Sequence, residues 1–181
     1  MSEPSKIDTH EIVSIYPIDP DVQEQLLTEQ RECSFNWSTR DGWPVGVIMS
    51  YSWRDGKFWL TAGMHRHRIE AIRRDPRVSL VITSVGTSLG GGKSITVKGR
   101  AEVHEDRATK EWFYAGFHVQ YPGLDAPLRI VVSVTPEKWI TFDGAKMKAH
   151  ERGELDPARM GPRLFSDATR LPKIVASRGD E

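Results

Sequence analysis

Cysteine is nearly absent from the 181-residue sequence, since Cys33 is the only one. A single cysteine cannot form a disulfide within the chain, so the sequence does not indicate a disulfide-stapled secreted protein. No apolar run approaches the roughly 18 residues that a membrane-spanning helix needs. The first residues also lack the basic and apolar regions of a secretory signal. We therefore expect a cytoplasmic protein without a membrane partner.

Net charge is also absent, because 25 basic residues balance 25 acidic ones. A general nucleic-acid binder needs a net positive field, so no nucleic-acid partner is expected. The charge is nevertheless uneven: residues 54–77 contain seven basic and three acidic residues, with His65 and His67 among them. A compact positive patch on a neutral protein favours a small anionic ligand.

Short alternating segments predict a mainly β protein of one domain, which fits a chain of this length. The period-two pattern predicts strands over residues 33–38, 44–53, 57–61, 78–84, 94–104, 129–134 and 138–142. Asp55-Gly56 predicts a tight hairpin turn between the second and third of these. Because no strand–helix–strand alternation is present, the arrangement favours a mostly antiparallel barrel of six or more strands.

Helix signals are few and short. Asp19-Pro20 is typical of a helix start, and Asp106 is a candidate cap for a helix reaching about Val119. A third helix is predicted to end near Arg74, because proline disfavours helical geometry in the residue before it. The core is expected over about residues 20–143. We expect residues 144–181 to form an extended arm that docks on a partner subunit.

Three catalytic or binding motifs are excluded. Gly92-Lys93-Ser94 matches the end of a nucleotide phosphate loop, but a strand pattern follows it where that motif requires a helix. His65 and His67 have the spacing of a metal pair, but no third ligand lies nearby, so no metal site is expected. No nucleophile motif is present, and no side chain is assigned a catalytic role.

Arg66 and Arg68 form the most informative pair. If residues 61–68 are extended or looped, side chains two apart point the same way and both guanidinium groups converge ahead of a helix that opens at Ile69. Two guanidinium groups and free amide donors at a positive helix end suit a phosphate. In mid-helix the two side chains would diverge by about 200° and form only a solvated face. The residues alone leave both interpretations open.

The order of these signals resembles the pyridoxamine 5′-phosphate oxidase-like split β-barrel family, which binds flavin mononucleotide (FMN) or the deazaflavin coenzyme F-420. The similarity spans about residues 33–143. Its most specific parts are Arg66–Val78 and Thr96–Glu102, and Val134–Lys138 resembles the corner of the family's last strand. The implied fold is a mainly β split barrel with Greek-key-like connections and two or three short helices.

The resemblance implies a homodimer with one cofactor in each of two interface clefts. One strand segment would lie along the flavin ring, a turn would lie near the phosphate arm, and a basic stretch would contact the phosphate. In that order, the matching positions are Val47, Ile48 and Met49; Thr61 and Ala62; Arg66, His67 and Arg68. The family often has lysine at the position of Arg68, and arginine keeps the charge.

The implied activity is a flavin- or deazaflavin-dependent oxidoreductase that transfers hydride to a small organic acceptor. True pyridoxamine phosphate oxidases carry basic residues at about Gly46 and Tyr51 and glutamine near Ser94, so vitamin B6 oxidation is not expected. The alternative function is a non-catalytic cofactor or haem carrier on the same barrel. His65 or His118 would then be the axial ligand.

Overall fold

The computed structural model describes residues 15–117 and 128–161. Its strands are β1 (Glu32–Ser38), β2 (Pro44–Arg54), β3 (Lys57–Gly63), β4 (Arg77–Thr83), β5 (Lys93–His104) and β6 (Arg129–Asp143). Its α-helices are α1 (Pro20–Glu29), α2 (His67–Arg74), α3 (Arg107–Ala115) and α4 (Gly144–Glu151). No helix within these two ranges is long and apolar enough to cross a membrane.

The strands close into a barrel in the order β1-β2-β3-β6-β5-β4, and all neighbouring pairs are antiparallel. This confirms the predicted mainly β, split-barrel fold. Alternation along each strand sends one set of side chains inward, where Phe58, Leu60, Leu80 and Val97 are fully buried. The barrel interior is therefore a packed apolar core, and ligands must bind elsewhere.

The hairpin between β2 and β3 forms as predicted, with positive φ at Asp55 (53°) and Gly56 (70°). β3, however, continues two residues beyond the predicted end at Thr61. Ala62 and Gly63 pair with Ile130 and Arg129 of β6. The local pattern suggested a loop here because glycine weakens a strand, but the neighbouring strand supplies the missing partner.

A split between β2 and β3 decides where the site lies. The ladder joining these two strands runs only from Arg54–Lys57 to Tyr51–Leu60. Beyond Tyr51, β2 pairs with β1, whereas β3 beyond Leu60 pairs with β6. The two strands therefore diverge, and their facing edges are not paired with each other over the rest of their length.

β6 is one bulged strand rather than two predicted segments. Lys98 lies opposite Lys138 and Gly99 lies opposite Pro136, so Glu137 is the extra residue. Gly99 is required at this point, because a Cβ there would lie 2.5 Å from the Thr135 carbonyl oxygen.

Helix α3 begins as predicted, since the Asp106 side chain accepts a hydrogen bond from the Thr109 amide. It ends at Ala115, earlier than expected, because the chain turns at Gly116. Val119 and the predicted loop over residues 121–127 lie outside the described residues.

The segment after β6 corrects the expectation of an extended arm. Residues 144–151 are helical, because the Asp143 carboxylate accepts a hydrogen bond from the Ala145 amide and caps α4. The buried Lys146 ammonium donates to the Pro17 carbonyl (2.6 Å) and to Asp19 (2.7 Å). This helix thus packs on the start of its own chain. The docking of residues 162–181 on a partner falls outside the described residues.

Lys146→Ala should lower the free energy of unfolding by about 2 kcal/mol, because it removes two hydrogen bonds and leaves Asp19 partly buried with one cation fewer. Denaturant unfolding of both proteins measures the difference. Lys148→Ala, on the exposed side of the same helix, is the matched control and should change stability by less than about 0.5 kcal/mol. Equal effects of the two substitutions would contradict the assigned role of Lys146.

The same pair predicts a pH dependence. The hydrogen bond from Lys146, aided by Arg159, lowers the pKa of Asp19 from its ordinary value of 3.8. A lowered carboxyl pKa contributes stability that is present above the ordinary pKa and is lost as the pH falls through the folded-state value. The stability difference between wild type and Lys146→Ala should therefore shrink below about pH 4. A difference that stays constant down to pH 2 would contradict this coupling.

Candidate functional site

A cavity of about 380 Å³ occupies the split between β2 and β3. Ile48, Met49 and Ser50 line it on the β2 side, and Thr61 and Gly63 line it on the β3 side. Its other lining residues are Glu32, His65, Arg66, Arg68, Leu128 and Arg129. The divergence of the two strands thus creates a space in which strand edges, hydroxyl-bearing side chains and several cations meet.

Peptide groups of β2 are directed into this split. The Tyr51 amide donates to the Arg31 carbonyl (3.0 Å), on the β1 side of the strand. The N–H and C=O of one strand residue point to the same side, and those of the next residue point to the opposite side. The N–H and C=O groups of Ile48 and Ser50 therefore point away from β1 and toward the split. Because the β2–β3 ladder ends at Tyr51, no β3 residue pairs with them there. A flat ring with polar atoms on its edge fits such a strand edge.

Positive charge is concentrated at the other end of the cavity. Helix α2 begins at His67, with Arg66 in extended geometry just before it and no side chain capping the first turn. Burial lowers the pKa of the Arg68 guanidinium, and the nearby charges of Arg66 and Arg129 lower it further. The free protein therefore holds together three cations that repel one another, and an anionic ligand would relieve that repulsion.

Arg68 also carries a buried donor with no partner. Its Nε atom is out of contact with solvent and forms no hydrogen bond within the described residues. An unsatisfied buried donor costs about 1–3 kcal/mol, so this arrangement is unfavourable in the free protein. Phosphate oxygens accept from guanidinium groups in a two-pronged geometry. The donor set therefore fits a phosphate group.

The local geometry differs in one respect from the sequence expectation. The helix begins at His67, not at Ile69, so Arg68 lies in its first turn while Arg66 precedes it. Both guanidinium groups nevertheless line the same cavity. Because Arg66 lies outside the helix with extended backbone (φ −75°, ψ 134°), the helical rotation of about 100° per residue does not separate the two side chains.

Five of the eight positions singled out from the sequence line this cavity: Ile48, Met49, Thr61, Arg66 and Arg68.

The other three positions do not line it. Val47 and Ala62 pack against the apolar core of the barrel, because their side chains alternate to the inner face. His67 borders a separate cavity of about 250 Å³ together with Trp37, Arg40 and other residues. Cofactor contact remains a prediction at all eight positions.

Six lining residues were not selected from the sequence as contacts of FMN or F-420: Glu32, Ser50, Gly63, His65, Leu128 and Arg129. His65 had been considered only as half of a metal pair and as an axial ligand in the haem alternative. Gly63 lets the His65 ring lie against the strand, since a Cβ there would be 2.7 Å from that ring. Arg129 lies far along the sequence and reaches the cavity because it pairs with Gly63 across the β3–β6 ladder. Local sequence carries no signal for that pairing.

Metal ligands do not cluster in the part of the chain that the structure describes, where no group of three or more His, Cys, Asp or Glu side chains could hold an ion. The two histidines that had metal-pair spacing border different cavities, His65 in the split and His67 in the smaller cavity. They therefore do not act as a chelating pair in this arrangement.

Comparison with known families decides the relationship. The family profile described as pyridoxamine 5′-phosphate oxidase matches residues 20–143, which include all six strands. The chain belongs to this family. The resemblance inferred from the basic stretch and the strand motifs is thereby confirmed.

Solved structures of other proteins share the fold. A conserved hypothetical protein from Mycobacterium tuberculosis is 19% identical, with a TM-score of 0.60 over 87% of this chain and 97% of its own. A protein described as an F420 reductase is 19% identical, with a TM-score of 0.54 over 64% and 94%. A FAD-binding protein from Mesorhizobium loti is 22% identical, with a TM-score of 0.55 over 69% and 93%. No curated protein matches the chain in sequence.

Arg68→Met should raise the free energy of unfolding of the ligand-free protein by about 1 kcal/mol, because it removes an unpaired buried donor and a repelled charge while keeping the aliphatic bulk. Denaturant unfolding without added anions measures this. Arg73→Met is the control, since Arg73 is exposed on the same helix and pairs with Glu105; it should not stabilise the protein. A destabilised Arg68→Met variant would contradict the unpaired-donor assignment.

Proposed function

We propose that the protein is an oxidoreductase that binds FMN or coenzyme F-420 in the β2–β3 cavity and transfers hydride to a small organic acceptor. The observation that carries this proposal is the cluster of three arginines, Arg66, Arg68 and Arg129, that line one end of the cavity. Membership of the pyridoxamine 5′-phosphate oxidase family supports a flavin-type cofactor. The structural neighbours described as F420 reductase and FAD-binding protein point to the same class of ligand.

The arginine end of the cavity would hold the cofactor phosphate. Arg68 supplies the buried guanidinium, Arg66 an exposed one at the helix start, and Arg129 a third from β6. The uncapped first turn of α2 adds amide donors at the positive end of the helix dipole. Together these groups bind a phosphate from more than one side.

The strand end would hold the ring. Peptide groups of Ile48 and Ser50 offer donors and acceptors to the ring edge, and the Ile48 side chain supplies an apolar surface beside it. Val47 and Ala62 support these strands from inside the barrel. When bound, a flavin or deazaflavin supplies hydride transfer, in which two electrons and one proton pass between ring and acceptor together. Orienting the ring and excluding water from one of its faces are the tasks left to the protein.

Vitamin B6 oxidation is not the proposed reaction. Gly46 carries no charge, and a Cβ there would overlap the Asn36 Oδ1 atom, so a basic side chain would have to displace Asn36. Tyr51 is buried in the barrel, where its hydroxyl donates to the Leu27 carbonyl (3.1 Å). Neither position can present a cation to a second phosphate. Purified protein loaded with FMN should therefore not oxidise pyridoxamine 5′-phosphate, and turnover of that substrate in an oxygen-uptake assay would contradict this exclusion.

A homodimer would complete the site. Ile48 is 68% exposed although it lines the cavity, and it continues into an apolar groove with Val81 (40% exposed) and Val85 (64% exposed). A second copy of the chain packed on this face would bury the groove and cover one side of the cavity. We therefore expect a cofactor site at each end of the subunit interface.

Ile48→Glu should convert the dimer to a monomer and weaken FMN or F-420 binding, because a charge in the centre of an apolar interface stays unpaired. Light scattering coupled to gel filtration gives the mass of each protein. Ala108→Glu, an equally exposed site on α3, is the control and should remain dimeric. A wild-type monomer that binds the cofactor as tightly as any larger species would contradict the shared site.

Cofactor binding is tested by titrating the purified protein with FMN, coenzyme F-420 and haem while recording absorption and fluorescence. FMN or F-420 should bind, and Arg68→Glu should weaken binding about 100-fold or more, since it replaces charge-assisted hydrogen bonds with repulsion. Arg73→Glu, exposed on the same helix, should bind normally. A haem spectrum with no flavin or deazaflavin uptake would instead support the carrier alternative, with His65 in the cavity as the ligand.

The acceptor is then sought with the loaded protein. Under nitrogen, the reduced cofactor should be reoxidised at a rate that depends on the concentration of a quinone, a tetrapyrrole such as biliverdin, or an unsaturated carbonyl compound. Reoxidation no faster than that of free reduced cofactor, across all three classes, would contradict the assignment of an enzymatic role and favour a carrier.

A further inference from the structure

The Thr61 hydroxyl is held at the cavity wall by two partners. Its Oγ1 lies 2.6 Å from the hydroxyl oxygen of Tyr114 and 3.1 Å from the Ile130 carbonyl oxygen. Thr61 is only 8% exposed, and it lines the cavity on the β3 side. Two contacts therefore fix the orientation of the hydroxyl on a residue that lines the cavity.

Tyr114 reaches Thr61 because helix α3 covers the outer face of β3 and β6. Phe113 and Phe117 pack against Val131 there. The Arg54 guanidinium lies 3.9 Å from the centre of the Trp112 ring and donates to the Phe113 carbonyl (3.2 Å). These contacts hold the helix without the Tyr114 hydroxyl, so that hydroxyl can be removed without releasing α3.

Counting protons shows what Thr61 offers a ligand. A threonine hydroxyl has one proton, and the Ile130 carbonyl can only accept. Thr61 therefore donates to Ile130 and accepts from Tyr114. If Thr61 donated to Tyr114 instead, its proton would still be used within the protein. In both cases the hydroxyl has only acceptor capacity left for a ligand, which suits a ligand hydroxyl or N–H and does not suit a phosphate oxygen.

We propose that Tyr114 is a positioning residue that fixes Thr61 as a hydrogen-bond acceptor for a hydroxyl on the sugar-alcohol chain of the cofactor. This inference rests on the proposed function. It also divides the cavity chemically: the three arginines can only donate and so take the phosphate, whereas Thr61 accepts and takes the chain between phosphate and ring. A ligand lacking either group would lose one of the two contacts.

The test compares ligands with and without phosphate. Wild type and variants are titrated with FMN and riboflavin by ring fluorescence or, if only the deazaflavin binds, with F-420 and its phosphate-free alcohol. Thr61→Val should weaken both members of the pair about five-fold, the size of one neutral hydrogen bond, and Thr61→Ser should restore binding. Arg68→Gln should weaken the phosphorylated member about ten-fold or more and leave the other nearly unchanged.

Tyr114→Phe tests positioning. It should weaken both ligands two- to five-fold in the wild-type background and have no further effect in Thr61→Val, because it acts through that hydroxyl. Its melting temperature without ligand should stay close to that of wild type, which separates positioning from a loss of structure. A full additional loss in the double variant would overturn the role of Tyr114.

Two further outcomes separate the proposals. If Thr61→Val weakens only the phosphorylated ligand, Thr61 contacts the phosphate, and the acceptor assignment is wrong while the proposed function stands. If wild type binds neither flavin nor deazaflavin, the proposed function fails, and this inference fails with it.

Discussion

The early end of the hydrogen-bond ladder between β2 and β3 is the constraint on which the rest of the structure depends. Below Tyr51–Leu60 each strand finds its partner on the other side, β1 for β2 and β6 for β3. The barrel still closes, but two strand edges face each other across a gap. Peptide groups of β2 at this gap are not paired with β3, and the start of α2 lies beside them. On the β3 side, α3 places the Tyr114 hydroxyl against Thr61.

The positive charges at the gap lower the stability of the free protein. Arg68 is half-buried, has an unpaired Nε, and lies near two like charges that lower its pKa. No property of the fold requires this arrangement, since an aliphatic side chain of similar length would fill the space. A group that destabilises the empty protein and complements an anion is typical of a binding site. The exposed apolar groove beside Ile48 is likewise unfavourable in a lone subunit, and a second copy of the chain would bury it.

Much of the fold could be predicted because its signals are local. The alternation of Cys33, Phe35 and Trp37, the hairpin glycine at Gly56 and the cap at Asp106 each depend on a few neighbouring residues. Predictions were wrong where a distant partner intervened. β3 extends to Gly63 because β6 pairs with it, and residues 144–151 fold into a helix that an ion pair with Asp19 anchors. Neither contact could be predicted from the residues that are adjacent in the sequence.

The sequence by itself determined the class of the site, because a basic pair at the start of a helix and a family pattern of strands are properties of contiguous residues. Only the tertiary structure decided which residues line the site. Whether a strand residue faces the core or the split depends on the closed barrel, which turns Val47 inward and leaves Ile48 in the cavity. Arg129 and Tyr114 belong to the site because long-range packing brings them to it. Their distance along the sequence gives no sign that they lie close together in the fold.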